Sequence, residues 1–133
     1  MLNQFKKHAI TCFSLCLLLF IPFNASAFFY TGNTLSNWLE SNERVKLEST
    51  MPDDFPNVFQ LQGYITGIYE SLSVQNSRDK SPKFCPSTTQ LKLKQLIHIV
   101  NNFVKNNPKR LNEPAYVLVE TAIIEAYPCN KPN

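Results

Sequence analysis

The sequence predicts an all-α protein: a small four-helix bundle-like domain with one disulfide, preceded by a signal peptide. Apolar residues recur at the three- and four-residue spacing of helices, and no run alternates as a strand would. Prolines, nine against three glycines in 133 residues, separate these runs. The two cysteines beyond residue 27 flank the last two runs. Together these observations predict helices joined by short breaks and fixed by a covalent bridge.

The first 27 residues have the layout of a secretory signal peptide. Lys6 and Lys7 form a positive start, a mostly apolar stretch of about 15 residues follows, and Ala25 and Ala27 occupy the positions that signal peptidase reads. The stretch is shorter than the roughly 20 residues that span a bilayer, which disfavours a membrane anchor. We therefore predict cleavage after Ala27, a domain at 28–133, and a periplasmic or secreted location without membrane attachment.

The charge balance of the predicted domain excludes several classes of function. Two of the thirteen Lys and Arg residues lie in the signal, which leaves eleven bases against ten acids. No basic stripe is interleaved with aromatic residues, so nucleic-acid binding is not expected. His98 is the one histidine beyond the signal, and no nucleophile motif, phosphate-binding glycine loop or metal-ligand spacing accompanies it. We expect neither catalysis nor a cofactor nor a bound metal.

The first predicted helix lies in NTLSNWLESNERVKLES, where Leu35, Trp38 and Leu39 share one stripe. Asn33 or Thr34 is the expected N-cap, because a side-chain oxygen there can accept from the first turn. The segment TMPDDFPN, with two prolines, is expected to end the helix.

The second predicted helix, VFQLQGYITGIYESLSV, carries Gly63 and Gly67 four residues apart on one face. Two glycines in a helix interior cost about 1 kcal/mol each relative to alanine. Close approach of another helix would explain them, and local flexibility is the alternative. The polar stretch QNSRDKSPK is expected to be a loop.

The last two predicted helices form a hairpin. Helix three is expected to begin after Pro86 with Ser87, Thr88 or Thr89 as its cap, and to bury Leu93, Leu96, Ile97, Val100, Phe103 and Val104. Helix four follows Pro114 in AYVLVETAIIEAY and is so apolar that it lies either centrally or against a second subunit. Its expected core stripe is Leu118, Ala122 and Ala126.

Cys85 precedes helix three and Cys129 follows helix four. Because a short connection makes the two helices antiparallel, these cysteines are expected at the same end of the hairpin. An even cysteine count in an exported chain favours a disulfide over a reactive thiol or a zinc site. We predict that Cys85 and Cys129 are bonded.

Five ordered motifs together resemble the Rap/Tai family of immunity proteins: TGNTL, GYITGIYESL, FCP, NNPKRL and PAYVLVETAIIEAYPC. The resemblance runs from Phe29 to Cys129. It implies a small α-helical periplasmic protein, often a homodimer, that binds and blocks a peptidoglycan amidase toxin delivered by type VI secretion. The alternative function is a periplasmic structural or adaptor domain of the same fold without a toxin partner.

Family members usually carry a second cysteine pair, at the positions where this sequence has Leu39 and Leu61. The resemblance therefore implies that an apolar contact between helices one and two replaces one disulfide here. We expect the two leucine side chains to touch.

Two surfaces are candidates for partner contacts. The turn NNPKRLNE presents Lys109, Arg110 and Leu111, and we predict that it binds the toxin. The alternatives are a solvated turn whose positive charge suits the end of helix three, and a Leu111 that packs beneath the turn. Val117 and Ile124 lie to the side of the expected core stripe of helix four, and we predict that they form a dimer contact.

Overall fold

A computed structural model describes residues 29–86 and 91–129 of the chain. The predicted signal peptide, Phe28 and the predicted caps Ser87, Thr88 and Thr89 lie outside these described residues. Within the described parts there are four α-helices, one short 3-10 helix and no strand, which confirms the all-α prediction. Their bounds are α1 Gly32–Lys46, α2 Asp54–Arg78, α3 Leu93–Asn106, the 3-10 helix Pro108–Arg110, and α4 Ala115–Ala126.

The four helices share one hydrophobic core. α1 packs mainly against α2, and α3 packs mainly against α4. Leu39 and Leu61 are both buried in this core, on α1 and α2, as expected of an apolar replacement for a bridge. A direct contact between their side chains stays a prediction. The buried apolar residues of α3 are Leu96, Ile97, Val100 and Val104, which confirms most of the predicted stripe.

Two predicted helix starts are wrong. The N-cap of α1 is Thr31, whose hydroxyl accepts from the Thr34 amide at 3.4 Å, rather than Asn33 or Thr34. α3 begins at Leu93, after the predicted caps; there the Gln95 side chain accepts from the amide of Lys92 at 2.9 Å. Both observed starts are set by side chains that satisfy the open amides of a first turn.

α2 is longer at both ends than the periodicity predicts. Its first turn includes Pro56, which a helix tolerates there because amides of the first turn have no intrahelical partner. The polar stretch from Gln75 to Arg78, predicted as loop, is the last turn of α2. The Asn76 side chain anchors the following segment, accepting from the Lys83 amide at 2.7 Å and donating to the Phe84 carbonyl at 2.8 Å.

Two further expectations about packing are wrong. A methyl group built on Gly63 or Gly67 would meet no atom within 4 Å. No other helix of the described chain therefore packs closely against either glycine. Ala126 is exposed because α4 ends there, and Val119 and Ile123 are buried instead.

The predicted disulfide closes the open end of the α3–α4 hairpin. Cys85 and Cys129 are bonded, with their α-carbons 4.8 Å apart. The Cys85 amide also donates to the Tyr127 carbonyl at 2.8 Å. The neighbouring Phe84 is buried, with its ring centroid 6.1 Å from that of Tyr69 on α2. The bridge thus fixes a segment that also packs against α2.

An ion pair with a buried carboxylate joins the end of α1 to the start of α2. The Asp54 side chain, 1% exposed, accepts from the Arg44 guanidinium at 2.6 Å and from the Met51 amide at 2.8 Å. Ser41 accepts from both Arg44 and the Asn57 amide group, each at 3.0 Å. The hydrogen bond from Arg44 is the main reason that the pKa of Asp54 lies well below its usual range.

Replacing Cys85 with serine should lower the free energy of unfolding by roughly 4 kcal/mol, because the bridge closes a loop of about 45 residues. Denaturant unfolding of the variant is compared with that of the unmodified domain in which the Cys85–Cys129 disulfide is formed, and the difference in free energy of unfolding is the loss. Cys129→Ser and the double variant are the controls, and all three should lose the same amount. A double variant clearly less stable than either single variant would contradict a role limited to the bridge.

Asp54→Asn should lower the melting temperature at pH 7, because Arg44 loses a buried charged partner. The folded pKa of Asp54 is depressed, so the stability that its charge contributes is complete above the unfolded pKa of about 3.9 and declines as pH falls below it. The difference between wild type and variant should therefore narrow below about pH 4. Asp53→Asn, at the exposed neighbouring position, is the matched control. An Asp54→Asn deficit that is independent of pH would argue against the ionised pair.

Candidate functional site

The predicted partner-binding residues lie in the α3–α4 turn, residues 107–114. Its backbone is fixed by short-range hydrogen bonds. The Asn107 side chain donates to the Phe103 carbonyl at 2.8 Å and so closes the end of α3. The Arg110 amide donates to the Asn107 carbonyl at 3.0 Å, and the Glu113 amide to the Arg110 carbonyl at 2.9 Å. These bonds give the turn a defined shape before any partner arrives.

Arg110 is engaged inside the turn. Its guanidinium donates two hydrogen bonds of 2.8 Å to the two carboxylate oxygens of Glu113, and its carbon lies 5.2 Å from the ring centroid of Phe103. The hydrogen bond raises the pKa of Arg110 and lowers that of Glu113. A partner carboxylate would therefore reach the forked donors of Arg110 in exchange for Glu113.

The other two predicted residues differ in environment. Lys109 is exposed, and so are Pro108 and Asn112 beside it. Leu111 is half-buried and packs against the core, which agrees with the alternative interpretation of this residue. The most exposed groups of the turn are the Lys109 ammonium group, the Asn112 amide and the Pro108 ring, and the side chains of Arg110 and Glu113 are partly exposed beside them.

The start of α1 holds the turn from the other side. The Gly32 amide donates to the Glu113 carbonyl at 2.8 Å, and the Asn33 amide to the Leu111 carbonyl at 2.9 Å. A methyl group at Gly32 would lie 2.8 Å from the α-carbon of Leu111 and 2.9 Å from its carbonyl oxygen. Only glycine lets the two backbones come this close. We call this set of contacts the Gly32 clamp.

An aromatic cluster extends the clamp. The Ala115 amide donates to the Tyr30 carbonyl at 2.9 Å, which joins the segment before α1 to the start of α4. The Tyr30 ring lies edge-on to Trp38 and to Tyr64, at centroid distances of 4.8 and 5.5 Å. Edge-to-face geometry is favourable for aromatic pairs. Sequence reasoning missed this cluster and the clamp, although the glycine in TGNTL is a signal that could have indicated the clamp.

The other residues singled out in the sequence, Val117, Ile124 and His98, lie outside the α3–α4 turn. Val117 and Ile124 are both half-buried, and Ile124 packs against the core. Their role as a dimer contact stays a prediction. His98 is exposed, and its ring nitrogen lies 3.0 Å from the side-chain amide of Asn102.

Gly32→Ala should destabilise the domain by roughly 1–3 kcal/mol, because the methyl group overpacks against backbone that cannot move away. Gly67→Ala is the matched control: the same change in open space should raise stability by up to about 1 kcal/mol. Denaturant unfolding at low protein concentration measures both changes. Equal effects at the two glycines would contradict the clamp.

The described residues offer neither a metal site nor a membrane-spanning helix. Across residues 29–86 and 91–129, no three or more His, Cys, Asp or Glu side chains are grouped so that they could hold a metal ion. Nor does any helix in those ranges combine the length and hydropathy needed to cross a membrane.

Comparison with known proteins gives one match. A family model for Rap1a immunity proteins matches residues 31–129, which include all four helices, the α3–α4 turn and both disulfide cysteines. No curated protein and no solved structure matched the sequence. The matched range is well over half of the chain and contains every motif on which the resemblance to the Rap/Tai proteins rests. The chain belongs to the family of Rap1a immunity proteins.

Proposed function

We propose that this protein is exported to the periplasm, where it binds and blocks a peptidoglycan amidase toxin delivered by type VI secretion. Its family implies immunity to a toxin. The signal-peptide layout of residues 1–27 supports export to the compartment where peptidoglycan lies. A disulfide between Cys85 and Cys129 is consistent with an oxidising compartment.

The observation that carries the proposal is the dense hydrogen bonding of the α3–α4 turn. The turn is held by its own hydrogen bonds, by the Gly32 clamp, and by helices on both sides. A segment that is ordered before binding loses little conformational entropy when it enters a cleft. Such a turn is suited to an inhibitor that fills the substrate cleft of an enzyme. This kind of inhibition requires a shape and a charge that match the cleft, and it requires no catalytic group in the inhibitor.

The chemistry of the turn indicates what the toxin should present. Lys109 projects an ammonium group that no ion pair of the described residues engages. Rim charges of this kind steer encounter and contribute to specificity. A carboxylate on the toxin opposite Lys109 would complement it, and a second carboxylate could take the place of Glu113 on Arg110.

The direct test uses the domain 28–133 and the amidase encoded beside its gene. Release of peptide fragments from purified peptidoglycan is measured while the domain is titrated against the enzyme. We expect inhibition to be complete near equal molar amounts. Full amidase activity in excess domain would contradict the proposed function and favour a structural or adaptor role.

Lys109→Glu should weaken binding to the amidase about tenfold, a loss of about 1.4 kcal/mol, because a complementary charge becomes a repulsive one. Calorimetry measures the dissociation constant, and circular dichroism checks the fold. Lys80→Glu, an equal charge change at an exposed position in the α2–α3 segment, is the control and should bind as wild type does. If both variants lose affinity equally, the loss comes from the change in net charge of the domain. In that case Lys109 does not contact the amidase.

A further inference from the structure

A pocket of about 420 Å³ lies where α1, α2 and α3 meet. Its volume is within the range of about 300–1,000 Å³ that small-molecule sites occupy. The residues that line it are Asn42 and Lys46 from α1, Gln62 from α2, and Leu93, Lys94 and Ile97 from α3. Two of these residues are positively charged and none is acidic. We call this cavity the three-helix pocket.

Asn42 gives the three-helix pocket a buried polar group that the fold leaves poorly paired. Asn42 is 7% exposed, and its side chain makes one hydrogen bond to a described residue, from Nδ2 to Glu43 Oε1 at 3.5 Å. That distance exceeds the usual range of about 2.7–3.2 Å for an N–H···O bond. The Asn42 side-chain oxygen accepts no hydrogen bond from any described residue. Because buried amides are normally paired, a polar ligand in the pocket would supply the missing partners.

The first turn of α3 brings further hydrogen-bond donors to the edge of the pocket. Leu93 and Lys94 are the first two residues of this helix, and both line the pocket. Their backbone amides have no hydrogen-bond partner among the described residues, since the Gln95 side chain accepts from Lys92 instead. Open amides at the start of a helix, together with the helix dipole, favour an anion at this end of α3.

Two ammonium groups add to the positive charge at the pocket. Lys94 is exposed and takes part in no ion pair of the described residues. Lys46 donates to Glu43 at 2.8 Å, so Glu43 offsets one of the two charges and the charge of Lys94 remains. The pocket surface is otherwise mainly apolar, with Leu93 and Ile97 exposing aliphatic carbon to it. The pocket therefore combines an anion site with an apolar wall and side-chain amides.

We propose that the three-helix pocket binds the carboxyl end of a short peptide whose last side chains are small and aliphatic. The carboxylate would lie between the Lys94 ammonium group and the open amides of the first turn of α3. The peptide N–H and C=O groups would pair with Asn42 and Gln62, because a side-chain amide both donates and accepts. The small side chains would contact Leu93 and Ile97. An inorganic anion would leave the amides and the apolar wall unused.

Two kinds of peptide end have this chemistry. One is the carboxyl terminus of a protein, made of L-residues, and the other is a stem peptide of peptidoglycan, which ends in D-alanine. The site itself does not depend on amidase binding, and the proposed export bears only on which of these peptides reaches it. The pocket also lies away from the α3–α4 turn, because the 14 residues of α3, about 21 Å in length, separate Leu93 from the turn.

The first experiment titrates the dipeptide N-acetyl-Ala-Ala into the isotope-labelled domain 28–133 and follows amide signals by NMR. We expect the backbone signals of Leu93 and Lys94 and the side-chain signals of Asn42 and Gln62 to shift, with a dissociation constant of about 1 mM or below. The same dipeptide with an amidated carboxyl end is the control and should bind at least fivefold more weakly. Equal binding of the two dipeptides, or no shift of these signals at about 10 mM peptide, would overturn the proposal.

The second experiment repeats the titration with variants whose fold is checked by circular dichroism. Lys94→Glu should raise the dissociation constant at least fivefold, because a repelling carboxylate replaces the ammonium group. Asn42→Asp keeps the shape of the side chain and should weaken binding from inside the pocket. Lys80→Glu, the same charge change at an exposed position outside the pocket, should bind as wild type does. Since Lys94 is exposed, its variant tests the site independently of Asn42→Asp, and wild-type affinity in Lys94→Glu would contradict the proposal.

Two further comparisons assign the source of the peptide and separate this inference from the proposed function. Tighter binding of the D-Ala-D-Ala form would support the site and indicate a peptidoglycan stem peptide, whereas tighter binding of the L-Ala-L-Ala form would support it and indicate a protein terminus. Lys94→Glu should inhibit the amidase as wild type does, because the turn is not altered. Loss of inhibition in this variant, in a domain that binds neither dipeptide, would assign the pocket to the toxin contact and overturn the peptide site.

Discussion

The missing side chain at residue 32 is the constraint on which the rest of the candidate site depends. It lets the start of α1 donate directly to the turn between α3 and α4, at 2.8 Å to the Glu113 carbonyl. With a larger residue the two backbones would have to separate, and Leu111 would lose its backbone partner from Asn33. A distant part of the chain, almost 80 residues earlier, thus holds the turn through hydrogen bonds.

The disulfide and the Gly32 clamp act at opposite ends of the same hairpin. Cys85 and Cys129 fix the end where α3 begins and α4 finishes, while the clamp fixes the end where they join. A domain of this size buries a limited core, so covalent and backbone contacts at the ends carry a larger share of its stability than in a large protein. The Arg44–Asp54 pair makes a third fixed point, between α1 and α2.

The sequence predicted the features that depend on spacing and missed those that depend on tertiary contacts. Helical periodicity identified all four helices, and the cysteine positions identified the bridge, because both follow from local pattern or chain topology. The starts of α1 and α3 were wrong because the side chains of Thr31 and Gln95 decide them. The pairing of Arg110 with Glu113 was not anticipated either, although the two lie three residues apart. The glycine in TGNTL could indicate a close backbone approach, but nothing local indicated that its partner is Leu111.

Glycine shows most clearly why sequence alone could not assign the surfaces. Gly32, Gly63 and Gly67 are the three glycines of the chain, and each lies in a helix. Gly32 is required by its own fold, since backbone lies under 3 Å from where its side chain would begin. Gly63 and Gly67 face open space, so the fold of one copy would be at least as stable with alanine there. The same physical test, the room around an absent methyl group, thus separates the glycine that the α3–α4 turn requires from two glycines that no contact of the described chain explains.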